Sequence, residues 1–378
     1  MTLSAALGAV LALALSTAGT AGSAAAATTA AAPATAATTA TFGRIAEAVL
    51  TRRTDALLDS HRPLRARSAA LSAALARSED GGLSELRARK SRLAALGEAY
   101  TAGDTRVTVD RVRAVKGRAT AWVTETTTLT YEKIRGDEPP TTGFQAHHEL
   151  SFTTAPDGTW RLAAMKSTDT GAGTGTGAGS LAVNQPAVTA VAAKTAVAAA
   201  AEPVAKRAAT TTPVARVPKT STAYNYAAMA AYSEKYWSNY NPAYRKFNEA
   251  GGDCTNFVSQ ALRAGGWKND SGTASDYRNW WYDTSAQTDS WVGVNEWSWF
   301  GLSSKRTTSL ANVYQTEVGD VIQMDFDRDG SKDHTMMVTY RSSSGVPYLT
   351  YHSVNTYRKS LASILASYPR SYYYAYRT

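Results

Sequence analysis

Cys254 is the only cysteine among 378 residues, and its neighbours decide what it could do. It stands in Gly251-Gly252-Asp253-Cys254-Thr255-Asn256-Phe257-Val258-Ser259-Gln260, which reads as a loop entering a helix. The paired glycines allow a sharp turn, and Asp253 is placed to cap the first N–H groups. Phe257, Val258, Ala261 and Leu262 recur at helical spacing, and Gly265-Gly266 end the run. A cysteine in the first turn sits at the positive end of the helix dipole, which favours thiolate over thiol. A packing cysteine would belong on the Phe257/Leu262 stripe instead. The position predicts a nucleophile.

Such a nucleophile needs a group that takes its proton and returns it to a leaving amine, and imidazole suits that near neutral pH. Of five histidines, only His334 and His352 follow the cysteine. His334 precedes Thr335-Met336-Met337-Val338, and His352 closes Tyr348-Leu349-Thr350-Tyr351. The Ser342–Gly345 turn between them predicts antiparallel strands that bring the two rings together. One would then act as base while the other fixes its tautomer and orientation. His147-His148 occupies an earlier strand pattern. Adjacent strand residues face opposite ways, so both are read as structural.

Asp325-Phe326-Asp327-Arg328-Asp329-Gly330, with Asp333 following, matches the opening of a calcium loop. Met336 stands where the closing bidentate Glu belongs, so an EF-hand is rejected. Asp325, Asp327, Asp329 and Asp333 remain candidate ligands for a structural calcium, and the cysteine chemistry requires no cofactor. The lone cysteine and two histidines lack the spacing of a zinc box. Seven of nine tryptophans fall between Tyr224 and Phe300. Trp237 and Trp267 are assigned to the core. Trp280, Trp281, Trp297 and Trp299, with Asp253 and Asn256, are candidate substrate contacts. No Gly-x-Ser-x-Gly elbow is present.

Hydrophobic periodicity supplies the elements that must hold these groups. Helical spacing runs from about Thr41 to Tyr100, then alternation from Thr105 to Lys166, with turns at Lys116-Gly117 and Pro156-Asp157-Gly158. Residues 41–167 are therefore an α+β accessory domain, whose element order is similar to NTF2-like or cystatin-like folds. Residues 168–222, rich in Gly, Ala, Thr and Pro, read as a flexible linker. In residues 223–378 a helical front half carries the cysteine and a β back half carries the histidines. Helices are expected over Tyr224–Trp237 and from Asn241-Pro242, and strands over Val318–Phe326, Thr335–Tyr340, Tyr348–His352 and Tyr372–Tyr376. The fold class is α+β, a cysteine-bearing helix packed on an antiparallel sheet.

Within residues 223–378, Asp253-Cys254-Thr255-Asn256-Phe257-Val258, then Gly319-Asp320-Val321-Ile322, then His334 opening a strand and a histidine on the next, resemble NlpC/P60-type papain-like cysteine hydrolases. The stretch Gly251–Gln260 is similar in particular to the putative amidase domain family of that superfamily. The resemblance covers about Tyr224 to Thr378. It implies Cys254 as nucleophile, His334 as base and His352 as the orienting residue, with Asn355 the rival for the last role. It also implies cleavage of peptide or amide bonds, often in bacterial cell-wall peptide, through an acyl-enzyme. The Cys254 N–H and a second donor would hold the oxyanion. Thr255-Asn256 replaces the family's Ser-Gly, which leaves the bond cleaved open. Acyl transfer to an amine uses the same groups. The reading from another class is a wall-binding protein that keeps the fold without turnover.

Residues 1–27 combine the apolar run Leu7–Leu15 with small residues after it, which reads as an export signal; the first charged residue is Arg44, so the usual basic start is absent. Residues 28–40 are an Ala/Thr-rich leader. A secreted, wall-associated location follows as the expectation. Net charge is +9 with a pI near 9.4, which suits an anionic wall polymer as well as nucleic acid. No dense Lys/Arg block with interleaved aromatics occurs, so nucleic acid is set aside. No stretch has the length of a membrane span, and a monomer is expected.

Overall fold

The computed structural model describes residues 35–59, 70–169, 208–220, 223–248 and 252–378. The export signal and most of the leader lie outside the described residues. Helices α1 (Ala36–Asp55) and α2 (Ala73–Ala95) start at Thr35 and Ser72, whose hydroxyls accept the N–H groups of Thr38 and Leu75. Four antiparallel strands follow: β1 (Tyr100–Val115), β2 (Arg118–Tyr131), β3 (Thr141–Thr154) and β4 (Trp160–Ser167). Strict alternation of buried and part-exposed residues in β3 is the period-two pattern of a one-sided sheet. Phe42, Ile45 and Val49 of α1 pack with Ala121, Val123, Leu150 and Phe152.

The C-terminal part contains α3 (Tyr226–Tyr236), α4 (Cys254–Ala264), α5 (Asp289–Val292) and α6 (Val294–Ser303). Next come β5 (Thr308–Leu310), β6 (Val321–Asp325), β7 (His334–Arg341), β8 (Pro347–Tyr351), β9 (Asn355–Ser360), α7 (Leu361–Ser367) and β10 (Tyr372–Arg377). Asn241-Pro242 opens only a turn, with Asn241 Oδ1 accepting the Ala243 N–H, and not the second helix expected.

Sheet order is β1-β2-β3-β9-β8-β7-β6-β10-β5, with β4 also on β3, so one mixed-element fold shares a single large antiparallel sheet. β3 makes this possible. Its outer edge pairs with β4 over His148–Thr154, and its start is left to pair with β9 through Gly143↔Tyr357, Phe144↔Thr356 and Gln145↔Asn355. The two halves are thus joined by a strand pairing. Residues 208–220, read from sequence as linker, also lie against the C-terminal sheet. Ala209 donates its N–H to Tyr373, Arg216 pairs with Glu317 at 2.6 Å, and Lys219 reaches the fully buried Asp320 at 2.6 Å. Arg216 and Lys219 thus have buried acids to meet. Asp320 also accepts the N–H groups of Glu317 and Thr378, so the Gly-Asp pair at 319–320 is structural.

The seam between the halves is polar as well as apolar. Tyr131 receives the Ser360 N–H, Arg92 donates to the Ala366 carbonyl, and Ser360 donates to Glu98 at 2.5 Å. Burial pushes the Glu98 carboxyl up to about 7, and nearby Glu138 adds to the rise. A carboxyl raised on folding contributes stability at low pH that is lost as pH climbs from its ordinary value to the folded one. Stability should therefore fall by about 3 kcal/mol across that window. Glu98→Gln should flatten it, which denaturant melts at a series of pH values would read.

Candidate active site

Cys254 is the first residue of α4, and Gly265 and Gly266 end that helix, Gly266 taking φ 104°. Every side chain from Cys254 to Leu262 is buried. Val258 and Ala261 meet Met337 of β7. Asp253 precedes the helix but caps none of its N–H groups. Its Oδ1 instead accepts from the Phe247 N–H (2.9 Å) and from Asn256 Nδ2 (2.8 Å), and its Oδ2 lies 2.8 Å from His352 Nδ1. The expected cap is a clamp on an imidazole.

His352 is 2 % exposed. Its ring stacks on Phe257 with centroids 3.8 Å apart and lies 4.3 Å from the Tyr240 ring. Its Nε2 is 2.9 Å from the Tyr236 carbonyl oxygen. Both nitrogens thus face oxygen acceptors. Asn355 is buried on the same side and accepts from the Tyr240 hydroxyl at 3.2 Å. It supports the ring that packs on His352 and makes no hydrogen bond to the imidazole.

His334 is placed elsewhere. β7 and β8 pair with Met337 opposite Thr350 and Val338 opposite Leu349. Thr335 and Met337 face α4, the Thr335 and Thr255 hydroxyls meeting at 2.9 Å. Met336 and Val338 face α7, clustering with Leu361 and Ile364. His334 shares their parity, and its ring lies against Phe326 and, 5.0 Å away, Tyr351. His352 shares the parity of Thr350, whose hydroxyl meets Thr339 on the α4 side. The two imidazoles come near one another along the strands but on opposite faces, so the expected His334–His352 pairing over the thiol is corrected. Burial, with Lys359 nearby, pulls His334 down to about 3, and its Nε2 has no hydrogen-bond partner among the described residues.

The sulfur itself is enclosed. Cys254 is 5 % exposed, and Sγ lies 3.8 Å from Thr255 Oγ1. Burial pushes the thiol up, the Thr335 backbone N–H and the Thr255 hydroxyl oppose this, and the Asp253 carboxylate adds to it. The acidified thiol expected from the helix dipole alone is not what this environment gives.

Around the site the backbone is bent to fit. Gly252 has φ 121°, and a Cβ there would lie 2.9 Å from Ser353 Oγ, which itself accepts the Asp253 N–H at 3.2 Å. Ser353 and Val354, directly after His352, take φ 64° and 59°. Left-handed backbone costs about 1–2 kcal/mol per L-residue, and a β-branched residue is the least suited to it. No sequence signal marks that turn.

The remaining candidates divide. Asn256 is saturated inside the protein, donating to the Arg245 carbonyl and Asp253 and accepting from Trp291 Nε1 at 2.7 Å. Trp280 and Trp297 are wholly buried, with Trp267, in the aromatic core behind α4. Trp237 is only half-buried, against Tyr357. Trp281 and Trp299 are half-buried too, so of the four tryptophans only these offer surface. Carboxylate oxygens of Asp325, Asp327 and Asp333 lie within 4.8 Å of one another and could hold a cation; Asp329 is not in that group. Backbone N–H groups of Arg328, Gly330 and Phe326 already serve Asp325 and Asp333, as in an ordinary turn. His147 and His148 point to opposite sides and pair with Asp169 and Glu125. Among the described residues, no helix is long and apolar enough to cross a membrane.

Residues 223–376 match the family described as the putative amidase domain. The uncharacterized protein YhbB of Bacillus subtilis is 33 % identical over 139 residues, covering 35 % of this chain and 43 % of YhbB. The uncharacterized protein YjcM of the same organism is 34 % identical over 140 residues, covering 34 % of this chain and 31 % of YjcM. The chain thus spans less than half the length of these curated relatives. Among solved structures, the intermembrane space region of chloroplast protein ARC6 aligns over 33 % of this chain and 95 % of its own, at 17 % identity and a TM-score of 0.22, a likeness that carries no argument. The C-terminal part is thus similar to the putative amidase domain.

Proposed function

We propose that this protein is a secreted cysteine amidase or peptidase that cleaves amide bonds in bacterial cell-wall peptide through a thioester on Cys254. The observation that carries the reading is a juxtaposition. Inside the amidase-like segment, the chain's one cysteine opens a helix beside a buried imidazole–carboxylate pair. In this reading His352, not His334, exchanges the proton with the sulfur and the leaving amine. Asp253 holds Nδ1, so Nε2 is the exchanging nitrogen once it parts from the Tyr236 carbonyl. Sulfur attacks the carbonyl carbon, the C–N bond breaks, the amine leaves with the proton, and water then cleaves the thioester. The Cys254 N–H, at the free end of α4, is the first oxyanion donor. The basic net charge of +9 favours approach to an anionic wall.

Mass spectrometry of products released from purified wall by the full chain tests this directly. New amine and carboxyl ends in equal number support hydrolysis, and their absence refutes it. Incorporation of an added amine would mark acyl transfer instead. For the acidic loop the proposal is a structural calcium on Asp325, Asp327 and Asp333, stiffening the entry to β7. Added calcium should raise the melting temperature of the wild type and leave that of Asp333→Asn unchanged.

A further inference from the structure

The place of the N-terminal half in the sheet points to its task. β3 pairs with β9 at Gln145↔Asn355 and Phe144↔Thr356, immediately after the turn that carries His352. Within that turn Val354 is 2 % exposed and belongs to an apolar cluster in which Leu129, Tyr131, Phe144 and Ala146 of the N-terminal strands join Tyr348, Ala362 and Ala366 of the C-terminal half. The same residue holds φ 59°, where valine does not rest unaided. Ser353, beside it at φ 64°, takes the Asp253 N–H, and Asp253 in turn holds the His352 ring. An apolar anchor on one half is therefore linked in three steps to the imidazole on the other.

We infer that the N-terminal half is a built-in positioning element: by seating Val354 in its core it holds the left-handed turn that aims His352 at Asp253. Val354 is a positioning residue and touches no reacting atom. The inference makes an inverted prediction. For a side chain that only fills space, glycine is a worse replacement than alanine. For an anchor that imposes positive φ, alanine is worse, because it loses the anchor and still resists the conformation, whereas glycine adopts it freely.

The test uses the full chain. Imidazole NMR of ¹⁵N-labelled protein should show a strongly deshielded His352 Nδ1 proton in the wild type. Val354→Ala is expected to lose that signal and to release wall fragments about tenfold more slowly, while Val354→Gly keeps the signal and stays within about threefold. Val123→Ala, an equal deletion in the separate apolar cluster under α1, should lower the melting temperature and leave the signal in place. Leu129→Ala, made on the same strand β2 but in the cluster that holds Val354, should weaken the signal as Val354→Ala does. Persistence of the signal in Val354→Ala or in Leu129→Ala, or its loss in Val354→Gly as fully as in Val354→Ala, overturns the inference. The rate arm rests on the proposed hydrolase activity and the NMR arm does not. A wild type that releases nothing from wall would sink the activity while the signal still decides the positioning.

Discussion

Replacing Cys254 with alanine abolishes release of peptide fragments from purified wall, a loss of about a thousandfold or more, the scale seen when a covalent nucleophile is removed. Alanine fits the site, because the sulfur is enclosed and the hydroxyl it meets, that of Thr255, lies a long 3.8 Å away. The variant should therefore fold and melt close to wild type. It should also still adhere to wall, which separates loss of chemistry from loss of binding. A non-catalytic binder would behave otherwise, with no release by the wild type and no difference between the two proteins. Alkylation gives a second reading. Since burial pushes the thiol up, labelling of the resting protein should be slow near neutral pH and quicken as pH rises. Activity should disappear in proportion to the one sulfur labelled. Full activity in Cys254→Ala would remove the proposed nucleophile outright.

How much of this was legible beforehand follows from which interactions are local. The α4 helix and its glycine stop could be read directly, because period and punctuation are properties of neighbouring residues. The β2–β3–β4 meander and its Gly158 turn, at φ 78°, were equally visible. Asp253 was misjudged for a physical reason. A helix cap and a histidine clamp demand the same residue type, and only tertiary contact decides between them. The short strand β9 escaped because Asn-Thr-Tyr-Arg-Lys-Ser has no apolar alternation; pairing with β8 on one side and with β3, some two hundred residues earlier, on the other makes it a strand. Shared burial also turned part of the apparent linker into packed chain, through ion pairs that composition does not reveal. The faces of the two histidines depend on register, and a shift of one residue would have exchanged them.

That register yields the last and most discriminating expectation. His352→Ala should slow wall cleavage by about a hundredfold to ten thousandfold, the range for removing a positioned acid–base group. It also leaves the Asp253 carboxylate buried without its imidazole, so a loss of stability of about 3 kcal/mol or more should accompany it. His352→Gln, which can still donate to Asp253, should recover most of the stability and none of the rate. His334→Leu should do the reverse. Its ring is on the far face among Phe326 and Tyr351, and its Nε2 is buried without a partner among the described residues. An unsatisfied buried polar atom costs about 1–3 kcal/mol, and an apolar side chain of similar size removes that cost. His334→Leu should therefore melt at or above the wild-type temperature and cleave within about threefold of its rate. The sequence pattern alone points to the opposite outcome, with His334 as the base. Steady-state rates for His334→Leu and His352→Gln, measured side by side, choose between the faces: if His334→Leu is the dead enzyme, the imidazole beside Asp253 is not the proton carrier.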